Sequence, residues 1–325
     1  MARRDIIVIG ASAGGIGVLE TILSGLPWDF QASLFVVVHT TEESPGLLPE
    51  ILNRSSKLAV LYAVHNAPIL PCRVYVAPSG ARHMLLERGK IRLLPGAREN
   101  RSRPAVDALF RSASHAYGSQ VIGVVLTGNL DDGAAGIADI KTRGGLAIVQ
   151  DPDDAMAPSM PTSAIEAADV DFVLPTESIA RKLVELAATE AIERVLPNNG
   201  ERNMVPEGFT YSCPECGGVL REIVEGGIER FRCRVGHVYS PESLLADQGV
   251  AVETALWAAI RILEEQSEFA NRLAASSREK QHQRLVERFS EKAQASRENA
   301  SVLRDLLQRA ADRVFETPEE RTGTE

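Results

Sequence analysis

Short apolar strands alternate with helical segments through the first 190 residues, and this alternation constrains the fold most. The predicted strands are short and β-branched, as in parallel strands buried on both faces; they are Ile6–Ile9, Leu34–Val38, Val74–Ala77, Ile91–Leu94, Val121–Leu126, Ala147–Gln150 and Phe172–Leu174. Helical patterns lie between several of them, at Ile16–Ser24, Leu47–Asn53, Ala105–Tyr117, Ala135–Thr142 and Ser178–Ala188. The sequence therefore predicts an α/β fold, with a doubly wound, mainly parallel sheet and helices on both faces. For the stretches VYVAPSG and RLLPG, the alternative is a hairpin outside the sheet.

Beyond residue 190 the composition changes along the chain. The prediction assigns residues 1–190 to the α/β domain, 191–208 to a linker, 209–245 to a small module with three cysteines, 246–317 to a helical region and 318–325 to a disordered tail. Neither glycine nor proline occurs between Gly249 and Pro318, where apolar residues recur at helical spacing. This pattern predicts two long amphipathic helices joined near Ser276–Gln283.

Charge and hydropathy exclude two classes of protein. The formal net charge is −9 and no basic stripe is present, which argues against a nucleic-acid partner. No apolar run is long enough to cross a bilayer, so we expect no membrane insertion. The apolar run after the first arginines is also too short for the core of a signal peptide. We therefore expect a cytoplasmic protein.

A glycine-rich turn, Gly10-Ala11-Ser12-Ala13-Gly14, follows the first predicted strand. It fits the G-x-S-x-G pattern, in which a tight strand-to-helix turn exposes a nucleophilic serine. It also comes close to the glycine pattern of dinucleotide-binding domains, with Ser12 in place of the second glycine. A third interpretation makes Ser12 only a cap of the following helix. The turn by itself does not decide among these interpretations.

The end of the second predicted strand favours the nucleophile. A dinucleotide-binding domain has an acidic residue there to hold the ribose, whereas SLFVVVHT ends in His39. Because parallel strands end at one edge of the sheet, we expect His39 beside Ser12, where a base would activate the hydroxyl. A later strand leads into a turn with Asp131 and Asp132, and either carboxylate could orient the imidazole. The alternative is that His39 only ends a strand and the aspartates only form a turn.

Three of the four cysteines cluster beside a histidine. Cys213 and Cys216 have C-x2-C spacing, and Cys233 and His237 have C-x3-H spacing after sixteen intervening residues. Two such ligand pairs, separated by enough chain for a hairpin, are typical of a closed structural zinc site. The pattern predicts a zinc-ribbon-like module in which Zn²⁺ stabilises a very small core. Free or redox-active thiols are the alternative, and Cys72 is expected to be structural.

Six blocks occur in the order VIGASAGG, VVVHT, YVAPSGARHM, RPAVDALFRSAS, GVVLTGNLDDGAAGI and SMPTSAI. Over about Asp5 to Ala188, these blocks resemble the catalytic domain of the CheB family, the chemotaxis protein-glutamate methylesterases. The resemblance implies a doubly wound enzyme without a catalytic cofactor. Its substrates would be γ-methyl esters of glutamate on the cytoplasmic helices of methylated chemoreceptors. Family members often also deamidate receptor glutamines.

The same resemblance assigns roles to individual residues. It implies a Ser-His-Asp triad with an acyl-enzyme intermediate, formed by Ser12, His39 and Asp132. It places the oxyanion between backbone amides of two turns, at Ala13 and Asn129. The family-like blocks that contain His83 and Met160 are expected near the substrate cleft, with Met160 in a loop at the carboxyl edge of the sheet.

Three features depart from the family pattern. Ala13 stands where many members have a threonine. The turn before the aspartate usually reads G-M-G-x-D in the family, and here Leu130 stands in place of its second glycine, which would change the turn. The family's usual N-terminal receiver domain is not expected, because the first strand begins at Ile6. Control by phosphorylation within the chain is therefore not expected either.

Two other functions remain as alternatives. The first is a catalytically idle scaffold on the same fold, which binds receptors or other pathway proteins. In either case the C-terminal helices could bind other chemotaxis-type signalling proteins. The second alternative, a dinucleotide-binding oxidoreductase, is disfavoured by His39.

Overall fold

The computed structural model describes residues 3–40, 46–80, 82–191, 202–203, 211–225 and 227–315. Most of the predicted linker at 191–208, and the whole predicted tail at 318–325, lie outside the described residues. The chain divides into two compact units, Met1–Leu245 and Ala246–Glu325.

A parallel sheet forms the centre of the first unit. The described strands of its first 190 residues are β1 Ile6–Ala11, β2 Ser33–Val38, β3 Ala59–Tyr62, β4 Arg73–Val76, β5 Arg82–Glu87, β6 Lys90–Pro95, β7 Val121–Val125, β8 Leu146–Gln150 and β9 Phe172–Leu174. Seven of them form one sheet in the order β3-β4-β2-β1-β7-β8-β9, while β5 and β6 form a separate antiparallel hairpin. Every residue of β1 and β2 is buried, as expected for central strands covered on both faces.

Helices cover both faces of this sheet. They are α1 Gly15–Gly25, α2 Leu48–Asn53, α3 Val106–Tyr117, α4 Ala134–Thr142, α5 Ser159–Ala167 and α6 Thr176–Ala187. One face packs against α1, α2 and α6 through residues such as Leu19, Leu52 and Leu183. The other packs against α3, α4, α5 and the hairpin through residues such as Phe110 and Met84. The structure confirms the doubly wound architecture predicted from the strand–helix alternation.

Three local features differ from the prediction. Ile91–Leu94 lies in β6 and pairs with β5, outside the parallel sheet. The stretch VYVAPSG is not its partner, because β4 pairs with β2 and β3 instead. The predicted loop around Met160 is the start of α5. Pro161 is compatible with that helix because it lies in the first turn, where its missing N–H has no intrahelical partner.

The module with three cysteines belongs to the same compact unit as the α/β domain. Its antiparallel sheet has the order β10 Arg202–Asn203, β11 Leu220–Glu225, β12 Ile228–Cys233 and β13 Val238–Tyr239. The sheet contacts the loop before α3, where the amide of Asn100 donates to the carbonyl of Val238 at 2.8 Å and the amide of Val238 donates to Arg98 at 3.2 Å. The first two residues of the predicted module, at 209–210, lie outside the described part.

Two long helices, α7 Pro241–Glu279 and α8 Gln283–Phe315, end the described chain. The break between them agrees with the predicted one, but α7 begins well before Gly249. Its first turn is stabilised by the Ser240 hydroxyl, which accepts a hydrogen bond from the amide of Ser243 at 3.0 Å.

Within the second unit, the Ser267 hydroxyl donates to the carbonyl of Ala293 at 2.8 Å, so α7 and α8 pack side by side. Trp257 and Phe269 are 50% and 63% exposed. In the part of the chain that the structure describes, no helix is long and apolar enough to cross a membrane.

Candidate active site

The register of the central strands places Ser12 beside His39. Ala11 at the end of β1 pairs with Val38 at the end of β2, so Ser12 and His39 are the next residues of two adjacent parallel strands. The amide of His39 donates to the carbonyl of Ala11 at 3.1 Å, and the amide of Ser12 donates to Thr127, just beyond β7, at 2.9 Å. The site therefore lies at the carboxyl edge of the sheet, where the strand order reverses on either side of β1.

The turn after β1 leaves the Ser12 side chain available for chemistry. Helix α1 begins at Gly15, and its N-cap is Gly14, with φ of +78° and no side-chain cap. Ser12 therefore does not cap this helix. Within the described residues no hydrogen bond joins the Ser12 hydroxyl to His39; such catalytic contacts often tighten only when substrate binds.

A buried carboxylate orients the imidazole of His39. The Nε2 atom of His39 lies 2.8 Å from Oδ2 of Asp132, with the two side chains 17% and 2% exposed. If Nε2 carries the proton and donates it to this carboxylate, Nδ1 is left as the basic nitrogen. This is the contact that the predicted base and orienting carboxylate of a serine-hydrolase triad would make.

The Asp132 carboxylate also lies at the N-terminus of α3. Oδ2 accepts the amide of Val106 at 2.7 Å, and Oδ1 accepts the amide of Asp107 at 3.0 Å and the side-chain amide of Asn100 at 3.2 Å. Burial raises the pKa of Asp132, but the hydrogen bond and charge of His39, together with the two backbone amides, give a net lowering of that pKa. The charged form is therefore the favoured one.

The neighbouring Asp131 has a different environment. Burial raises its pKa from the ordinary 3.8 to about 6, and the nearby carboxylates of Asp107 and Asp132 act in the same direction against a hydrogen bond from Ser240. One carboxylate oxygen of Asp131 is buried without a partner among the described residues. Of the two aspartates that the sequence left open, Asp132 is the one that contacts His39.

Comparison with known proteins identifies the family. The family model described as CheB methylesterase matches residues 7–183. The chain belongs to the CheB methylesterase family. Over 183 residues it is 44% identical to a Leptospira interrogans protein named as a candidate protein-glutamate methylesterase/protein-glutamine glutaminase, covering 56% of this chain and 94% of that protein.

Two further similar proteins are also described as methylesterases. A protein-glutamate methylesterase/protein-glutamine glutaminase of Anaeromyxobacter dehalogenans is 42% identical over 185 residues, which are 57% of this chain and 54% of that protein. The crystal structure of the Thermotoga maritima CheB methylesterase catalytic domain matches with a TM-score of 0.54 and 36% identity, covering 57% of this chain and 99% of that one. These matches confirm the resemblance seen in the sequence.

The turn between β7 and α4 carries the second oxyanion amide predicted for this CheB chain. A methyl group at Gly128 would lie 2.7 Å from Cβ of Ser12, so the backbone at this point lies directly against the serine. The neighbouring Asn129 has an exposed side chain, and Ala13 is held nearby through its carbonyl, which accepts from the Thr127 hydroxyl at 2.9 Å. Among the described residues, the amides of Ala13 and Asn129 donate no hydrogen bond; their oxyanion role stays a prediction.

Leu130 departs from the CheB pattern within the turn before Asp132. Its φ is +62°, in the left-handed region that glycine enters most easily. A leucine in this region has a steric cost that a glycine would not have.

His83 and Met160 are both buried. The ring of His83 bonds to the carbonyl of Ala97 at 2.8 Å and to the amide of Ala105 at 3.2 Å, so both nitrogens hold the loop before α3. Met160 is 1% exposed and packs against the backbone of Gly128. Contact of either side chain with substrate stays a prediction.

A cationic cavity of about 230 Å³ opens beside His39. Its walls are formed by the residues after β2 and by the loop before α3, and its lining includes Arg98, Arg101 and Arg103. A larger cavity of about 810 Å³ lies between the hairpin and α3 and is lined by none of the three triad residues. Of the three residues predicted to form the triad, only His39 lines the smaller cavity.

The predicted metal ligands come together in the module. The four ligand atoms of Cys213, Cys216, Cys233 and His237 lie within 4.8 Å of one another. Nδ1 of His237 is 3.6 Å from Sγ of Cys213 and 3.4 Å from Sγ of Cys233, and the sulfurs of Cys216 and Cys233 are 3.7 Å apart. Zn–S bonds of about 2.3 Å require sulfur atoms about 3.8 Å apart in a tetrahedron, so the cluster could hold such a metal ion.

The electrostatics of the cluster agree with a metal-binding thiolate. Burial raises the pKa of the Cys233 thiol, but the backbone amides of His237 and Gly236 donate to its sulfur and, with the side chains of His237 and Cys216, lower that pKa to about 7. A metal ion binds the thiolate form of cysteine.

Sequence reasoning missed Asn100, Asp107 and Arg230. Asp107 accepts the amides of Gly133 and Gly136 at 3.0 and 2.7 Å, so it fixes the turn that follows Asp132. The signal for Asp107 was available, since an acidic residue in the first turn of a predicted helix commonly interacts with backbone amides. Nothing local marks Arg230, which reaches Asp107 from 123 residues away.

We predict that Gly128→Ala slows the reaction of Ser12 with a fluorophosphonate probe. The added methyl group would meet the sulfur of Met160 as well as Cβ of Ser12 and would displace Met160, Ser12 or the 128–129 peptide. Loss of one oxyanion donor typically costs about 10²–10³ in rate. Gly17→Ala is the control, because a methyl group at Gly17 meets no other atom within 4 Å. Equal labelling rates in the two folded variants would contradict the placement of this turn.

We predict that Asp131→Asn stabilises the protein at pH 8 but not at pH 4. With a folded pKa of about 6 against 3.8 in the unfolded chain, Asp131 loses its proton first in the unfolded state. The free energy of unfolding is therefore unaffected by ionisation of Asp131 below about pH 4. It falls between about pH 4 and 6, and the lost stability is not regained above pH 6. One pKa unit is worth about 1.4 kcal/mol, so with the pKa of Asp131 raised from 3.8 to about 6 the asparagine variant gains about 3 kcal/mol at pH 8.

Urea unfolding of wild type and variant at both pH values measures this gain. Asp169→Asn, which changes an exposed carboxylate, serves as the control. A gain that is the same at pH 4 and pH 8 would show that ionisation of Asp131 is not its cause.

Proposed function

We propose that this chain hydrolyses γ-methyl esters of glutamate on chemoreceptors, with Ser12 as nucleophile, His39 as base and Asp132 as the orienting carboxylate. The single observation that carries the proposal is the buried contact of 2.8 Å between His39 Nε2 and Asp132 Oδ2 at the strand end next to Ser12. The names of the relatives, protein-glutamate methylesterase/protein-glutamine glutaminase, support the choice of substrate. Deamidation of receptor glutamines belongs to the same proposal.

The reaction would proceed through an acyl-enzyme. Ser12 Oγ attacks the ester carbonyl while Nδ1 of His39 takes the serine proton, and the carbonyl oxygen becomes an oxyanion near the amides of Ala13 and Asn129. When the tetrahedral intermediate collapses, the imidazolium returns the proton to the leaving oxygen and methanol departs. Water then attacks the ester on Ser12 by the same route, which releases the glutamate side chain and restores the serine.

The charge of Asp132 matters at both steps. Its carboxylate remains ionised because the N-terminus of α3 and the imidazole hold it in that form. It therefore stabilises the imidazolium that forms each time His39 accepts a proton. The tautomer with the proton on Nε2 is also fixed by this contact.

The arginines near the cavity support an acidic protein substrate. Arg98, Arg101 and Arg103 line the opening beside His39. Product glutamates and other carboxylates on a receptor helix would be attracted to such a surface, which favours orientation more than raw affinity. The proposed setting of the reaction is the cytoplasm, where the receptor helices lie.

We propose that residues 1–190 form the catalytic domain and that 209–245 form a structural Zn²⁺ module. The donor set of three thiolates and one imidazole is a common closed zinc set. Zinc would be held by Cys213, Cys216, Cys233 and His237, and would supply folding free energy rather than catalysis. The region at 246–317 is proposed to bind another signalling protein, supported by the exposed aromatic side chains of Trp257 and Phe269.

We predict that Ser12→Ala abolishes methanol release from methylated receptor and removes fluorophosphonate labelling, with no loss of thermal stability. His39→Gln should slow methanol release by at least about 10³-fold, because the proton acceptor is lost while the nucleophile remains. Thr21→Ala, which removes an exposed hydroxyl from α1, is the folded control. Wild type that is inert to the probe would favour the idle scaffold instead.

We predict that one zinc ion is bound per chain and that Cys213→Ser loses it. Removing the ion with a strong chelator should lower the temperature of unfolding, because metal binding and folding of the module are linked. Cys72→Ser is the matched control, since Cys72 lies outside the cluster. Elemental analysis and thermal unfolding measure both effects, and a chain that folds identically without metal would reject the zinc assignment.

A further inference from the structure

We propose that Arg230 of the cysteine module is a positioning residue for the triad, acting through Asp107 and Asn100 on Asp132. The inference rests on the proposed esterase function. It makes the module part of the active-site support rather than an independent attachment.

Arg230 is a buried cation with defined partners. It lies in β12 and is 1% exposed. Its Nη1 donates to Oδ2 of Asp107 at 2.6 Å, and its Nη2 donates to Oδ1 of Asn100 at 3.0 Å. The guanidinium thus contacts two side chains of the catalytic domain with separate N–H groups, a geometry that a lysine cannot reproduce.

Both partners of Arg230 touch the triad carboxylate. Oδ1 of Asp132 accepts the backbone amide of Asp107 at 3.0 Å and the side-chain amide of Asn100 at 3.2 Å. Two contacts therefore connect the module to the residue that orients His39. Among the described residues, Arg230 itself makes no hydrogen bond to Ser12, His39 or Asp132; its bonds go to Asp107 and Asn100.

Arg230 fixes the orientation of the Asn100 side chain. Oδ1 of Asn100 accepts from Arg230 and from the amide of Ser240 at 3.2 Å. Nδ2 then faces the carboxylates of Asp107 and Asp132 at 2.8 and 3.2 Å. A reversed amide would present an oxygen to two carboxylates and a donor to the guanidinium, and both contacts would be repulsive.

Arg230 also offsets the charge of Asp107. This carboxylate is 1% exposed and lies next to a second buried carboxylate, Asp132. Burial lowers the pKa of Arg230, but the carboxylates of Asp107, Glu99 and Glu225 raise it by more. The net effect is a raised pKa, so the guanidinium remains charged. Without the cation, Asp107 must take up a proton or move. It would then accept the amides of Gly133 and Gly136 less well. Because Gly133 directly follows Asp132, the position of Asp132 would change too.

The test compares two arginines of one strand. Arg232 lies two residues from Arg230 and pairs with Glu225, which has no contact with Asp132. We expect Arg230→Met to lower kcat for ester hydrolysis about tenfold to hundredfold with KM within twofold, the range typical for loss of an outer partner that orients a reactive group. Arg232→Met, which also removes one ion-paired arginine, should leave kcat within twofold of wild type.

Two further measurements separate positioning from general destabilisation. In an Asp107→Asn background the charge that Arg230 offsets is absent while its contact with Asn100 remains, so Arg230→Met should lower kcat by a smaller factor there than in wild type. The ring ¹⁵N chemical shifts of His39 should report one tautomer, with the proton on Nε2, in wild type and a mixture in Arg230→Met. A role confined to folding would change neither result.

Arg230→Lys covers the case in which the methionine variant does not fold. It keeps the charge but can reach only one of the two partners well, so we expect kcat to fall at least threefold. Wild-type kcat in a folded Arg230→Met or Arg230→Lys protein, or an equal loss in Arg232→Met, would overturn the proposal.

The outcome can be distinguished from failure of the proposed function. If wild type reacts with the fluorophosphonate but releases no methanol, the substrate is wrong, and the rate of Ser12 labelling replaces kcat in the same comparison. If wild type releases methanol and the Arg230 variants match it, only the positioning role fails.

Discussion

The arrangement of the site depends on one buried carboxylate at the N-terminus of a helix. Asp132 is 2% exposed and receives the imidazole of His39, two backbone amides of α3 and the amide of Asn100. Burying a negative charge is costly unless several donors compensate for it. Here the donors come from three separate segments, so the compensation itself requires the strand end, the loop and the helix to be in place together.

Helices α3 and α4, on one face of the sheet, depend on each other through exchanged carboxylates. Asp132, from the turn before α4, accepts amides at the start of α3, while Asp107, from the first turn of α3, accepts amides at the start of α4. Neither helix has a capping side chain at its own N-cap position, which is Ala105 in one and Gly133 in the other. Each helix therefore satisfies two of the free amides at the start of the other, and the proposed catalytic aspartate is one of the two groups that join them.

Much of this architecture could be predicted from the sequence, and the exceptions have physical reasons. The central strands could be predicted from apolar runs because they are buried on both faces. Strand β3, which is partly exposed, was not predicted. The G-x-S-x-G turn and His39 follow from strand ends, and the family resemblance selected Asp132 over Asp131. Arg230 could not be found this way: it and Arg232 have the same parity on β12, yet only Arg230 is buried in contact with another segment.

The position of Arg230 along the chain has a consequence for biosynthesis. Ribosomes deliver residues from the N-terminus onward, and domains generally fold as they emerge. Ser12, His39, Asp107 and Asp132 are all made well before residue 230. A nascent chain that has completed the α/β sheet thus still holds the buried carboxylate of Asp107, next to that of Asp132, without the cation that pairs with Asp107. The charge balance beneath the triad is reached only when translation has passed the β11–β12 hairpin.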